Sequence, residues 1–440
     1  MFRWHHGSKQ PQFFWEKNMI RILVFILIVC YSTIAFSLEH EKEILTLSEC
    51  LRIAQQKNPG LLTYREDLIA LQHKEESLFR EMLPDVSLSW SGREVYENNN
   101  DSYSLSIKIN QNLFQGKRSY TSWKIGGLEK KRSALELTRQ YQQITCRVKK
   151  AWYELLEKKE LLNEANKSLE RLKQHASNAR HFFKEGWIWR TDVLEAEVKV
   201  ARGEQAKIIA ENDVARACAR LNSLMHRDVN NKIIIKDKLT WIKNEWSYEK
   251  AKAFSINNRP DLLKAKIDLE KNISALVIER SSFYPNISAS TSWTKSDKTM
   301  DMHDGDEDIA AQINASWSIW EWGKTNESIA AAKARIRQSK LLIKQLEDQL
   351  SLEIQEAWLS VQEAEKKVQV LEKALKQGDE NYRVNIIRYR ERLGTAKDVL
   401  EAQDLLTSTR KDHISALSEY LSSMANLDYA IGMKKYDIYK

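Results

Sequence analysis

The residues of this chain best placed to do chemistry are four carboxylates, because they come as two identical pairs. Asp192-Val-Leu-Glu-Ala196 recurs residue for residue as Asp398-Val-Leu-Glu-Ala402. In each pair the acids are three apart, so Asp398 and Glu401 share one face of a helix. Repeated around the axis of an oligomer, that face would ring a narrow pore with carboxylates, and such rings favour and bind cations. The alternative is an ordinary one: acids near the start of a helix complement its macrodipole. For Asp192 and Glu195 the dipole, or contact with a partner at the same helix end, is the reading taken.

Other chemistry has little support. Asp301-Met-His303-Asp304-Gly305-Asp306-Glu307-Asp308 is acidic but lacks the ligand order of an EF-hand, so it reads as an exposed loop. The nine histidines show no His-Glu-x-x-His spacing. Cys50, Cys146 and Cys218 are odd in number, far apart and outside any Cys-x-x-Cys, which fits small buried side chains better than a zinc site or disulfides. Gly126-Gly127 lies within a helical pattern and has no phosphate-loop context. No Ser/His/Asp or Cys/His constellation can be assembled. The sequence therefore reads as a protein that is not an enzyme and holds no cofactor or metal.

The repeated acid motif is part of a larger duplication. Pro59 and Pro84 recur 201 residues later as Pro260 and Pro285, with matching neighbours in Asn58-Pro-Gly-Leu-Leu62 and Arg259-Pro-Asp-Leu-Leu263. Ala151-Trp152 recurs as Ala357-Trp358 at an offset of 206. One unit of about 200 residues is used twice. Composition agrees with helices rather than compact domains. Of 440 residues only 13 are Gly and 5 Pro, no proline lies between Pro84 and Pro260 or after Pro285, and 30% are charged with both signs mixed. The net charge of +8 falls to about +5 without the first 37 residues, and no basic patch is interleaved with aromatics, which argues against nucleic acid.

Residues 1–37 read as an export signal with a possible upstream extension. Met19-Ile20-Arg21 opens a basic region, Ile22–Ile34 is apolar but too short to span a bilayer, and Ala35-Phe36-Ser37 resembles a cleavage site before Leu38. A short membrane anchor is the alternative. Cys30 lacks the small preceding residues of a lipidation site.

The first repeat is then 38–226, with a hairpin over about 86–113 and a long helix over about 117–184. A connector follows at 227–246, where Ile233-Ile234-Ile235 suggests a short strand. The second repeat is 247–432, with a hairpin over about 287–319 and a long helix over about 324–388, and 433–440 is a tail. Val86–Ser91, Tyr103–Asn110, Ile287–Trp293 and Ile309–Ile319 alternate strictly between apolar and small polar residues. That period of two puts one set on each face of a sheet. One face carries Trp and Tyr near its ends, the other Ser, Asn, Gln and Lys, as a strand between lipid and water requires. Polar loops at Glu97–Asp101 and Ser296–Asp308 close the hairpins, and the longer second loop explains why the offset grows. Each long helix spans about 100 Å at 1.5 Å per residue, too long for a compact domain, so it must pair as a coiled-coil-like layer. Shorter helices return over about Thr191–Met225 and Thr395–Ile431, and two helices split at a proline precede each hairpin. Four strands cannot close a barrel in lipid, so chains must combine: two would give eight strands, three would give twelve with room for water.

Taken in order, these motifs resemble the TolC-like outer-membrane efflux protein family across about Leu47–Gly432. The resemblance rests on the repeated Pro-x-Leu-Leu segments, the strand starts at Pro84 and Pro285, the helix starts at Gly116-Lys117 and Gly323-Lys324, the Asp-Val-Leu-Glu-Ala pair and the closing segments Leu221–Met225 and Leu427–Gly432. It implies a mainly α protein with a small transmembrane β part: a homotrimer whose 12-stranded β-barrel in outer-membrane lipid continues into a long periplasmic α-helical barrel. The implied role is the exit duct of a tripartite efflux pump or type I secretion system, with a periplasmic adaptor protein and an inner-membrane transporter as partners and the transporter as energy source. It further implies a gate at the periplasmic tip, onto which Tyr389, Asp398 and Glu401 map. The family's basic gate position falls on Gly394; Arg392, where the family usually has glycine, is the substitute, while Gly186 keeps that glycine in the first repeat. Gly186, Trp187, Trp189 and Gly394 flank the two tips and are candidates for adaptor contact, with packing between helices as the alternative for the tryptophans. The rival reading of the whole chain is a structural coiled-coil spacer or adhesin-like stalk anchored by its hairpins.

Overall fold

A computed structural model describes residues 44–94 and 101–433. The segment expected to be an export signal, Cys30, most of the first hairpin loop and the tail from 434 lie outside the described residues. Two units are distinguished. Met1–Leu45 with Lys232–Lys236 is one, described from residue 44 and held by a parallel bridge between Ile44 and Ile234; this single bridge is what the Ile233–Ile235 run forms. The other, Thr46–Asn231 with Asp237–Lys440, holds the helices and strands of the described residues.

In that unit the order is α1 (Leu47–Lys57), α2 (Pro59–Arg80), β1 (Asp85–Arg93), β2 (Ser102–Phe114), α3 (Arg118–Lys184), α4 (Arg190–Leu224), α5 (Tyr248–Asn258), α6 (Pro260–Ser281), β3 (Asn286–Asp297), β4 (Asp306–Ser316), α7 (Lys324–Arg390) and α8 (Ala396–Ala430). Corresponding helices of the two halves have equal lengths: 11, 22, 67 and 35 residues. Among the described residues no helix is long and apolar enough to cross a membrane.

Pro59 and Pro260 do not merely interrupt a helix; each is the first residue of the next one, where the missing N–H costs nothing. The ring holds the preceding residue extended, with ψ 118° at Asn58 and 116° at Arg259. Both of these residues then cap the return helix of their own half. The Asn58 amide donates to Leu224 O at 3.0 Å, and the Arg259 guanidinium donates to Ala430 O.

The long helices pair because their apolar residues follow a heptad. In α7, Ile354, Ala357, Val361, Ala364 and Val368 alternate steps of three and four, and they bury against Ala416, Tyr420, Leu421 and Leu427 of α8. In α3 the run Ala165, Leu169, Leu172, Ala176, Ala179 has the same rhythm, and its last two residues pack on Val193 and Ala196 of α4. Each large aliphatic buried this way contributes about 1.5–3 kcal/mol, and the alternating alanines let the backbones come close.

The four strands form one antiparallel sheet in the order β1-β2-β3-β4. Register aligns the alternation across strands: Leu88, Ile107, Trp293 and Ile309 form one row on the apolar face, and Ser89, Ser106, Thr294 and Asp308 the adjacent row on the polar face. Ser91 and Ser104 Oγ atoms lie 2.8 Å apart, and Thr294 Oγ1 donates to Ser106 Oγ at 3.1 Å. Among the described residues the outer strands β1 and β4 have no partner on their far sides, and both are exposed along their whole length.

Two strand ends differ from the sequence reading. The second loop is shorter than Ser296–Asp308, because Ser296, Lys295 and Thr294 pair with Asp306, Glu307 and Asp308; opposite charges at Lys295 and Glu307, 3.6 Å apart, face each other across the strands. At the other end β4 stops at Ser316 rather than Ile319. Its partner begins only at Asn286, after Pro285, so residues beyond 316 have no strand to pair with, and the Trp317 indole donates to Phe283 O at 3.1 Å instead.

The hairpin and helices meet at Gly116, whose φ of +58° suits glycine and where an added Cβ would lie 2.9 Å from Ser281 O. Gly116→Ala is expected to lower the thermal midpoint, through about 1–2 kcal/mol of left-handed strain plus displacement of the α6 end. An unchanged midpoint in a melt of the solubilised protein would show that the turn relaxes freely.

Candidate functional site at the helix tips

Both long helices end in the same way. Trp187 N–H donates to Phe182 O at 2.9 Å and Gly186 N–H to Phe183 O at 3.0 Å; Leu393 N–H donates to Arg388 O at 2.7 Å and Arg392 N–H to Tyr389 O at 3.1 Å. These are Schellman motifs, which need a left-handed residue after the helix. Gly186 fills that place at φ +74°, with open space around its Cα, and Arg392 fills it at φ +60°. Arginine in this conformation costs about 1 kcal/mol. An interaction offsets it: the Arg392 guanidinium stacks 4.1 Å from the Trp187 ring centroid and so ties one tip to the other.

Behind this stack lies an aromatic cluster. Phe182 is 5.5 Å from Trp187 and 5.6 Å from Tyr389, and His175 is 5.6 Å from Tyr389. Tyr389 is buried, its hydroxyl makes no hydrogen bond among the described residues, and burial followed by the charge of Asp192 pushes its phenol up. Sequence reasoning missed His175 and Phe182. Their spacing of seven within a helix was the available signal, since it sets both on one face beside the Ala176–Ala179 seam.

The acids sit otherwise. Asp398 completes a capping box: Thr395 N–H donates to Asp398 Oδ2 at 2.9 Å, and Asp398 N–H donates to Thr395 Oγ1 at 3.2 Å. The bond from the Thr395 backbone, followed by that from its side chain, holds the carboxyl below the usual carboxylate range. Because the folded-state pKa is depressed, this contribution to stability is present above the unfolded carboxylate range and is lost as pH falls through the lower folded value. Asp192 makes half of the same box, accepting from Trp189 N–H at 3.2 Å; the indole offers no acceptor in return. Glu401 is exposed and 3.7 Å from Lys397 one turn earlier. Arg392 makes no ion pair with Asp398 or Glu401, its charge being committed to Trp187. Trp189, at 81% exposure, and Gly394 flank the tips. Among the described residues no group of three His, Cys, Asp or Glu is placed to hold a metal.

The tips therefore bring Tyr389, Arg392 and Trp187 together, while Asp398 and Glu401 occupy the exposed first turns of α8. The same overall arrangement recurs in solved structures. VceC, an outer membrane protein of Vibrio cholerae, is 17% identical with a TM-score of 0.76, covering 88% of this chain and 96% of that one. The CmeC outer membrane channel of Campylobacter jejuni is 15% identical with a TM-score of 0.76, covering 90% of each chain. The open state of the MtrE outer membrane channel of Neisseria gonorrhoeae is 17% identical with a TM-score of 0.75, covering 88% of each. No curated protein matches the chain. The family described as outer membrane efflux protein matches residues 51–226 and 255–433, one match to each half of the duplication. With a two-faced sheet, paired 67-residue helices and both halves matched, the chain belongs to the outer membrane efflux protein family.

Proposed function

We propose that this protein is the exit duct of a tripartite efflux pump or type I secretion system, conducting passively through a homotrimeric channel gated at its periplasmic tip. The observation that carries the reading is the sheet. It has one apolar face, one face of serine, threonine and amide side chains, and two unpartnered edge strands. Exposed edges are not tolerated in lipid. Pairing β4 of one protomer with β1 of the next removes them, and three copies give twelve strands around a wet lumen. The long helices continue the wall into the periplasm. A periplasmic adaptor would meet the tips at Gly186, Trp187, Trp189 and Gly394, and an inner-membrane transporter would supply the energy. The protein itself catalyses no reaction.

In the gate, Asp398 and Glu401 line the constriction, while Tyr389 and Arg392 hold the two tips of one protomer together. Single-channel current in a planar bilayer tests this. Wild type is expected to show discrete, cation-preferring steps, and Asp398→Ala/Glu401→Ala larger steps with weaker cation preference. Identical steps in the variant would remove the acids from the gate. No steps from an inserted trimer would favour a structural stalk.

A further inference from the structure

Three buried polar atoms at the tip have no hydrogen-bond partner, and all belong to residues lining one cavity. They are Arg171 Nε, His175 Nε2 and Tyr389 Oη. The cavity, about 100 Å³, lies between α3 and α7 beneath Val399 of α8. His175 and Tyr389 are 6% and 7% exposed, so bulk water does not explain their unmet bonding.

The geometry points to a small monovalent anion of the halide class held in this cavity. The unmatched atoms are donors or can act as donors: an arginine Nε–H cannot accept, a tyrosine hydroxyl can donate, and the imidazole donates from Nε2 in one tautomer. Burial pushes the His175 imidazole down, against the charge of Glu195, which favours that neutral form. A water molecule would bring two donors of its own needing acceptors, whereas an anion only accepts. The charges agree. The lining includes Arg171 and Arg390 and no carboxylate. Arg171 is paired with Glu164 through Nη2 at 2.6 Å, but Arg390 makes no ion pair among the described residues. Burial pushes the Tyr382 phenol up, and the charges of Arg171, Arg390 and Arg410 draw it back down, while Asp192 and Glu195 act on Tyr389 and His175 from outside the lining. The volume suits one halide with one or two waters, each water taking about 30 Å³. The site does not depend on where the conduction path runs.

Bromide is the probe. Crystals of the full-length trimer grown with bromide in place of chloride are expected to give an anomalous scattering peak in this cavity. Ordered water alone there, or bromide only at surface arginines, overturns the proposal. In solution, the thermal midpoint of the solubilised wild type is expected to rise with the logarithm of bromide concentration at constant ionic strength, with gluconate as the balancing anion. Tyr389→Phe and Arg390→Gln should each flatten that slope. Tyr389→Phe is nearly isosteric, so the protein stays folded for the comparison. A slope shared by wild type and both variants shows a general salt effect and overturns the site.

Discussion

Arg259→Ala is expected to cost about 3 kcal/mol of folding stability. Arg259 is 3% exposed and donates to three elements at once: Ala430 O at the end of α8, Glu353 of α7 at 2.6 Å and Asp261 of α6 at 3.1 Å. Arg139 of α3 joins the same network, 3.3 Å from Asp261, 3.1 Å from Tyr429 O and stacked 3.6 Å above the Tyr429 ring. Removing Arg259 strands a buried carbonyl, while the Asp261 carboxylate keeps Arg139 at 3.3 Å and Lys264 at 3.7 Å. Glu353, with 41% of its side chain exposed, can return to water, which places the loss at the low end of the buried-pair range. Lysine keeps the charge but not the fork, so Arg259→Lys should recover only part. Denaturant titration followed by circular dichroism measures both. A loss below about 1 kcal/mol would class the network with ordinary surface pairs. The matching residue of the first half makes one neutral hydrogen bond, so Asn58→Ala should cost about 1 kcal/mol.

The second large effect lies in the sheet, where two neighbouring positions should respond in opposite ways. Ile107→Arg places a charge in the apolar row with Leu88, Trp293 and Ile309, at a cost of about 2–4 kcal/mol near the middle of the bilayer. Repeated in each copy, it should abolish folding into liposomes. Ser106→Arg, one residue away and on the face of Ser89, Thr294 and Asp308, should insert normally and shift the channel away from cations. The assays are heat-modifiable gel mobility after refolding and reversal potential in a bilayer. Loss of insertion in the Ser106 variant with normal insertion of the Ile107 variant would reverse the two faces.

These faces were legible in the sequence because a period of two survives in every strand. What was illegible were their ends. Asp306, Glu307 and Asp308 look like loop residues by charge, yet they pair with Thr294–Ser296, since strand pairing continues where side chains are solvated. Ile319 looks like strand by alternation, yet nothing lies opposite it beyond Asn286. Helix lengths followed from the absence of proline. The tip was only half legible. The Asp398 capping box could be read locally from Thr395 and its three-residue spacing. The cluster of His175, Phe182, Trp187, Tyr389 and Arg392 could not, because it joins residues about 200 positions apart from the two halves of the duplication.

The pairing of β2 with β3 has a consequence for the order in which the chain folds. β1 with β2 and β3 with β4 pair strands adjacent in sequence, and the seams of α3 with α4 and α7 with α8 are likewise between neighbours in sequence. The contact between Ile107 and Trp293 instead closes a loop of 186 residues, whose entropy must be met before the contact returns anything. Once the helices are paired, that loop is largely prepaid: Gly116 packs on Ser281, and Arg118 Nε donates to Ser281 Oγ at 3.1 Å, so the feet of the two hairpins are already side by side. The water-soluble part of the molecule thus acts as the template for the lipid-facing part. Pairing the helices first would leave the β2–β3 seam only a small part of the loop-closure entropy to overcome.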